Sequence, residues 1–406
     1  MKYLYINGQN SVAITNNAQE VVEQVYINGE IQDFDDPSSI DKETYAEQTK
    51  RKLYSKFLNN HFENLLVLTG AGSSVGIGVG DHKGKVLTQL WDSSVKELGE
   101  QDFEILRKLV NYNDRDDKGD IIKNLEKLLS FANTAIDYVQ SEEINILDCV
   151  NRIKKLIKKE CSLTLPEDNP HGILLNKITK RKVTSPRFKL FTLNYDTLFE
   201  QAGKRSNFTI IDGFSFSLPR VFSGRNFDLD IVSRSLSRVK EEDNFVPKVF
   251  HLYKMHGSVD WYKEGFNICQ KDNVENPLMI YPNQSKYESS YEQPYFEMMS
   301  RFQQSLRNEN VTLICIGFSF GDKHVVTAIK EALEQNSSFQ LMVVNKSIDE
   351  ANENIKPIIE AAKKHNNIVF VAETFDDFVT NYPDLKSYNQ DEQYKVFINL
   401  NNNINE

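Results

Sequence analysis

Apolar runs closed by polar residues recur along most of this chain and set its expected architecture. Residues 64–69, Asn64 to Thr69, are continuously apolar between their ends, as suits a strand covered on both faces. Comparable runs at 188–193, 208–212, 249–255, 278–281, 311–316, 339–345 and 368–372 predict further strands. Helical periodicity lies between several of them, at 50–60, 197–202, 323–334 and 349–364. Strands alternating with helices predict an α/β fold built on a parallel, doubly wound, Rossmann-like sheet.

Two stretches break that rhythm. Between about 100 and 170 the period becomes purely helical. Ile121, Ile122, Leu125, Leu128, Leu129, Ala132 and Ile136 share one face, and Ile146, Val150, Ile153 and Ile157 share another, so the block reads as a helical insertion. Before residue 45 the chain reads as short strands turning at Asn7-Gly8 and Asn28-Gly29, followed by a turn-rich acidic stretch at 32–41. The expected organisation is a β appendage at 1–45, a catalytic domain at 46–385 and a polar tail at 386–406. The tail is rich in Asn and Gln, with one apolar island at Val396, Phe397 and Ile398.

Composition narrows the function. The 406 residues are 40% hydrophobic, enough for a substantial core. A formal charge of -10 and a pI near 5.4 leave little attraction for phosphate backbones, so nucleic acid is not expected as the primary ligand. No apolar run approaches the roughly 20 residues of a membrane helix and no signal-peptide core opens the chain, so a cytoplasmic protein is expected. Cys149, Cys161, Cys269 and Cys315 are scattered with no CxxC pair, and neither a disulfide framework nor a zinc site is indicated.

Candidate chemistry gathers where the apolar runs stop. Directly after the run at 64–69 comes Gly70-Ala71-Gly72-Ser73-Ser74. Glycines there let the backbone turn tightly and approach a pyrophosphate; the same triplet also serves as a ligand-free turn. Neither the full GxGxxG spacing nor the P-loop pattern is present. A second run ends in Thr192-Leu193-Asn194-Tyr195-Asp196, where Asn194 projects from the strand end and Asp196 reads equally well as a helix cap. A third ends in His256-Gly257, a histidine suited to act as a base, with a glycine that would leave space for substrate. A fourth ends in Gly317-Phe318-Ser319-Phe320-Gly321-Asp322, small and hydroxylated residues suited to ribose or phosphate, with helix capping as the plainer account. The run at 339–345 closes on Asn345, an amide able to reach ribose hydroxyls.

Taken in order, Gly70-Ala71-Gly72-x-Ser74, Thr192-x-Asn194-Tyr195-Asp196, His256-Gly257, Gly317-x-Ser319 and Val344-Asn345 resemble the motif series of the sirtuin superfamily, over about residues 65–374. The resemblance implies a Rossmann-like NAD-binding domain. It implies that Gly70, Ala71, Gly72, Ser74, Asp81, Thr192, Asp196, Gly317, Ser319 and Asn345 contact NAD, that Asn194 acts at the nicotinamide ribose, and that His256 is the base. The protein-deacylase branch carries a Gly-Ile-Pro-Asp-Phe-Arg type segment and a four-cysteine zinc module. Here the first is replaced by Gly78-Val79-Gly80-Asp81-His82-Lys83-Gly84, and the cysteine pairs are missing. These departures, the helical insertion and the stretch from Pro277 to Lys286 resemble the bacterial sirtuin-like NADases of anti-phage defence, including those that act with a HerA-type ATPase.

The activity so implied is hydrolysis of NAD to nicotinamide and ADP-ribose. Nicotinamide leaves as a neutral group through an oxocarbenium-like transition state, so the site needs only to hold the ribose and deliver water. Two other readings are open: an NAD-dependent protein deacylase, and a catalytically silent NAD or ADP-ribose sensor that works by assembly. Unchecked NAD hydrolysis would harm the cell, which leads to the expectation of control through a homo-oligomer or an ATPase partner.

Overall fold

The computed structural model describes residues 1–34, 41–59, 62–181, 185–233, 244–279 and 293–383. Its strands are β1 (Lys2–Asn7), β2 (Asn10–Asn16), β3 (Val22–Ile27), β4 (Glu30–Ile31), β5 (Asn64–Thr69), β6 (Gly78–Val79), β7 (His82–Lys83), β8 (Lys189–Thr192) and β9 (Thr209–Ile211), then β10 (Arg220–Val221), β11 (Val249–Lys254), β12 (Trp261–Glu264), β13 (Asn267–Gln270), β14 (Val311–Ile316), β15 (Gln340–Asn345) and β16 (Ile368–Ala372). The helices are α1 (Lys42–Leu58), α2 (Leu87–Leu98), α3 (Glu100–Leu109), α4 (Leu125–Ala135), α5 (Ile146–Cys161), α6 (Pro170–Ile178), α7 (Leu198–Arg205), α8 (Tyr295–Leu306), α9 (Lys323–Gln335), α10 (Lys356–Ala362) and α11 (Phe375–Asn381).

An 11-stranded sheet runs in the order β4-β3-β2-β1-β16-β15-β14-β5-β8-β11-β9. From β16 to β9 every pairing is parallel. The alternation along each parallel strand explains why both faces are covered. Leu65, Val67, Leu190, Ile314, Ile316, Met342 and Val344 face one apolar cluster, shared with α1, α6, α7 and α11. Leu66, Leu68, Phe191, Leu313, Cys315 and Val343 face the other, shared with α8, α9 and α10. Each strand is therefore apolar throughout, as the runs in the sequence predict. The sheet is the Rossmann-like core expected of the chain. The direction of winding changes at β5: the chain goes on to β8 on one side, and β14 returns on the other.

The hairpins at Asn7-Gly8 and Asn28-Gly29 form, but they do not stand apart from the sheet. β1 pairs antiparallel with β16, Tyr5 opposite Val371 and Ile6 opposite Phe370, so the N-terminal strands prolong the main sheet. The helical block forms a third apolar cluster of its own, from Leu90, Trp91 and Phe103 through Leu128 to Ile157. It begins at Leu87, ahead of the expected 100. α1 starts at Lys42 on an Asp41 cap, where a polar first half hid its periodicity. α10 is shorter than the expected 349–364 because Pro357 sits in its first turn. The expected strand at 278–281 lies partly outside the described residues; its described part, Leu278 and Met279, makes a bridge from Met279 to Gly257. The expected tail lies wholly outside them. Among the described residues no helix is long and apolar enough to cross a membrane.

Candidate functional site

The carboxyl ends of β5, β8, β11, β14 and β15 supply the motif residues, and the change of winding between β5 and β14 opens the crevice in which doubly wound sheets bind ligands. Thr69 leads into a single 3-10 turn, Ala71–Ser73, and Ser74. This loop packs back to back against the loop after β14. A Cβ on Gly72 would lie 2.6 Å from the Gly317 Cα, and one on Gly317 would lie 2.5 Å from the Gly72 Cα. Gly317 also holds φ +60, a left-handed conformation that favours glycine. The loop's glycines are thus required by contact between two stretches of backbone. Its amides are largely engaged inside the fold: Gly70 N donates to Ile316 O, Gly72 N to Gly317 O, Ser73 N to Gly70 O and Ser74 N to Ala71 O. In the neighbouring loop the amides of Ser319, Phe320 and Gly321 make no hydrogen bond among the described residues.

Asn194 is half-buried immediately beyond β8. Its Nδ2 donates to Gly70 O at 2.9 Å and lies 3.1 Å from Ser73 Oγ and 2.8 Å from Ser74 Oγ. Because a backbone carbonyl only accepts, the contact with Gly70 fixes which end of the amide faces the loop, and Oδ1 is left as the acceptor on the other side. Ser74 Oγ in turn donates to Asp196 Oδ2 at 2.7 Å. Asp196 Oδ1 accepts from Leu198 N at the start of α7, so this residue is both a cap and a partner of the glycine loop. Thr192 Oγ1 accepts from Asn194 N.

His256 follows β11 by two residues. Its Nε2 lies 3.0 Å from Asp322 Oδ2, and its ring centroid is 6.5 Å from that of Tyr195. Asp322 uses its other oxygen to cap α9 through His324 N and Val325 N. A residue read from sequence only as a cap therefore also orients the candidate base. With Nε2 donating to the carboxylate, Nδ1 carries the lone pair. Gly257 does not leave the space expected of it: at φ +85 a Cβ there would sit 2.2 Å from Leu278 O. Asn345 donates to Phe318 O at 3.1 Å, bracing the loop of Gly317, and Ser319 is exposed on that loop. Asp81 is exposed at the tip of the β6–β7 hairpin and has none of the hydrogen bonds that join the others.

Sequence reasoning missed a buried pair beneath these turns. Lys254, the last residue of β11, is 2% exposed, and its Nζ lies 2.9 Å from Glu200 Oε1 in the first turn of α7. Burial pushes the Glu200 carboxyl up to about 7, with Lys254 opposing the rise. A lysine inside an apolar run was the available signal. Among the described residues no three His, Cys, Asp or Glu side chains gather in a way that could hold a metal ion.

Residues 189–371, the stretch from β8 to β16, match the sequence profile of the SIR2-like domain. That segment holds Asn194, His256, Gly317, Ser319 and Asn345, and the loop of Gly70 precedes it. Among solved structures, the chain is similar to Sir2Tm bound to a propionylated peptide, at 13% identity and TM-score 0.37, covering 82% of this chain and 96% of that one. It is similar also to a Sir2 homologue in complex with ADP ribose, at 11% identity and TM-score 0.37, covering 81% and 95%. A Sir2 bound to an acetylated peptide gives 11% identity and TM-score 0.37 over the same shares, 81% and 95%. No curated protein matches the chain.

Proposed function

We propose that this chain hydrolyses NAD at the nicotinamide–ribose bond, giving nicotinamide and ADP-ribose. The observation that carries the reading is the anchoring of Asn194 on Gly70, Ser73 and Ser74, one residue before Tyr195, whose ring neighbours the His256–Asp322 pair. This places an amide acceptor and an oriented imidazole at adjoining strand ends beside the switch point. NAD would lie across the two glycine loops. Ser319, Asn345 and the open amides of 319–321 would face ribose and phosphate, since the loop of Gly70 keeps most of its amides for itself.

In the reaction the C1′–N bond breaks and its electron pair leaves with neutral nicotinamide. Asn194 Oδ1 accepts a hydrogen bond from the attacking water or a ribose hydroxyl and orients it. The water oxygen bonds to C1′, and its proton passes to His256 Nδ1, with Asp322 stabilising the imidazolium. One NAD and one water give one nicotinamide, one ADP-ribose and one proton.

The resemblance to defence-associated NADases extends this reading to NAD depletion controlled by a homo-oligomer or a HerA-type ATPase, in the cytoplasm. A deacylase would use the same bond cleavage and couple it to an acyl-lysine. Nicotinamide release from NAD, measured with and without an acylated peptide and with and without such an ATPase, separates the readings. Release independent of peptide supports hydrolysis; release that requires the peptide would sink it.

A further inference from the structure

The turn that carries Asn194 and the turn that carries His256 come from different strands, and their relative position must be held by something inside the fold. Asn194 is tied to the loop of Gly70, and His256 to α9. Between the two turns, backbone carbonyls of one gather donors from the other. The Tyr195 carbonyl accepts from Val259 N at 3.0 Å, from Ser258 Oγ at 3.4 Å and from Lys254 Nζ at 3.4 Å. Lys254 Nζ also donates to the Asp196 carbonyl. All three donors belong to the segment 254–259, which brackets His256. Both accepting carbonyls belong to the turn that begins with Asn194.

We propose that Lys254, held by Glu200, is a positioning residue that clasps the Asn194 turn against the His256 turn and so sets the distance across which hydrolysis occurs. The ammonium is buried at the foot of the two turns. Its action is on the backbone of residues 195 and 196. Glu200 is the counter-charge that makes an ammonium tolerable there, and burial of that carboxylate is the reason its proton affinity is raised. Asp196 and Asp260 add negative charge around the same ammonium, which keeps it protonated.

The inference rests on the hydrolase reading for its kinetic consequence, and on geometry alone for its structural one. The test uses the full chain carrying Lys254→Met with Glu200→Gln, which empties the pair without leaving one buried charge alone. Hydrogen exchange is followed at peptides covering 192–198 and 254–260 and at the β14 and β15 peptides, beside kcat and KM for NAD. The expected result is exchange at least about tenfold faster in the first two peptides only, corresponding to local opening. In the same variant kcat falls about 10- to 100-fold, with KM within about threefold of the parent, as misplacement of reacting groups predicts. A folded double variant with parental exchange and kcat, or with exchange raised equally across the sheet, would overturn the clasp. If the double variant does not fold, Lys254→Met alone carries the same comparison, since the buried Glu200 carboxyl can then take up a proton: selective exchange in the two turns supports the clasp and parental exchange refutes it. A parent that binds NAD without releasing nicotinamide would contradict the hydrolase reading, and the exchange comparison would still decide the clasp.

Discussion

At the residue scale, the account makes Asn194 and the His256–Asp322 pair separable. Asn194→Ala removes the amide that accepts on one side while leaving a half-buried methyl group. Nicotinamide release should fall at least about 100-fold with little change in melting temperature. Asp322→Asn retains an oxygen to cap α9 but gives His256 a neutral partner. The expected loss is about 10- to 100-fold in kcat with KM nearly unchanged, checked by steady-state kinetics. Two other histidines should govern acid stability instead. His171 is fully buried between the rings of Phe199 and Phe375, with neither ring nitrogen hydrogen-bonded among the described residues, and burial lowers its pKa to about 3. His251, buried beside Tyr253 and Phe227, is lowered by burial to about 4. Both are neutral in the fold and charge on unfolding, so the unfolded chain binds more protons below pH 6.5. Each histidine lowers stability with acid below that pH by about 1.4 kcal/mol per pH unit, and the Glu200 carboxyl, raised by burial to about 7, offsets one of them because it takes up its proton in the fold first. In denaturant melts between about pH 6.5 and 5, His171→Leu should make the slope of stability on pH smaller by about 1.4 kcal/mol per pH unit; an unchanged slope would contradict the assignment.

At the element scale, the central contact is that between the two glycine loops. Gly317→Ala forces a left-handed alanine and drives its Cβ into Gly72, so it should destabilise the chain by at least about 2 kcal/mol in denaturant melts. The apolar runs made β5, β8, β11, β14, β15 and β16 legible in the sequence, because a strand buried on both faces is hydrophobic throughout. The residues at their carboxyl ends could be placed for the same reason. The short strands β10, β12 and β13 could not: they form a separate three-stranded sheet, outside the buried parallel core, whose pattern is too short to show a period. Nor could the partner of a side chain distant in sequence. Asp322 reads as a cap and is one, while its bond to His256 depends on the loop after β14 reaching the turn after β11, with β5 and β8 between those strands in the sheet. The buried role of Lys254 was hidden similarly, since its partner Glu200 lies in a helix that follows another strand.

At the scale of the whole molecule, the helical insertion and the N-terminal strands are both joined to the site-bearing sheet. Tyr195, between Asn194 and Asp196, packs against the apolar cluster of α2 to α5. Trp91, 5% exposed in that cluster, packs on Phe103 and Tyr112. Trp91→Ala should cost about 3–5 kcal/mol of stability and, through Tyr195, lower nicotinamide release as well. β1 covers the edge of β16, so removing residues 1–34 would expose that edge together with the apolar face of α1 that packs on β1, β2 and β3. The truncated chain should aggregate, as light scattering would show. The central claim is that hydrolysis of NAD occurs at Asn194, and it is tested most directly by measuring nicotinamide and ADP-ribose together from NAD alone, for the parent chain and for Asn194→Ala. The account predicts equimolar products from the parent and at least about a 100-fold loss in the variant. Equal release from both proteins, or bound NAD with no release from the parent, alone or with a HerA-type ATPase, would contradict it.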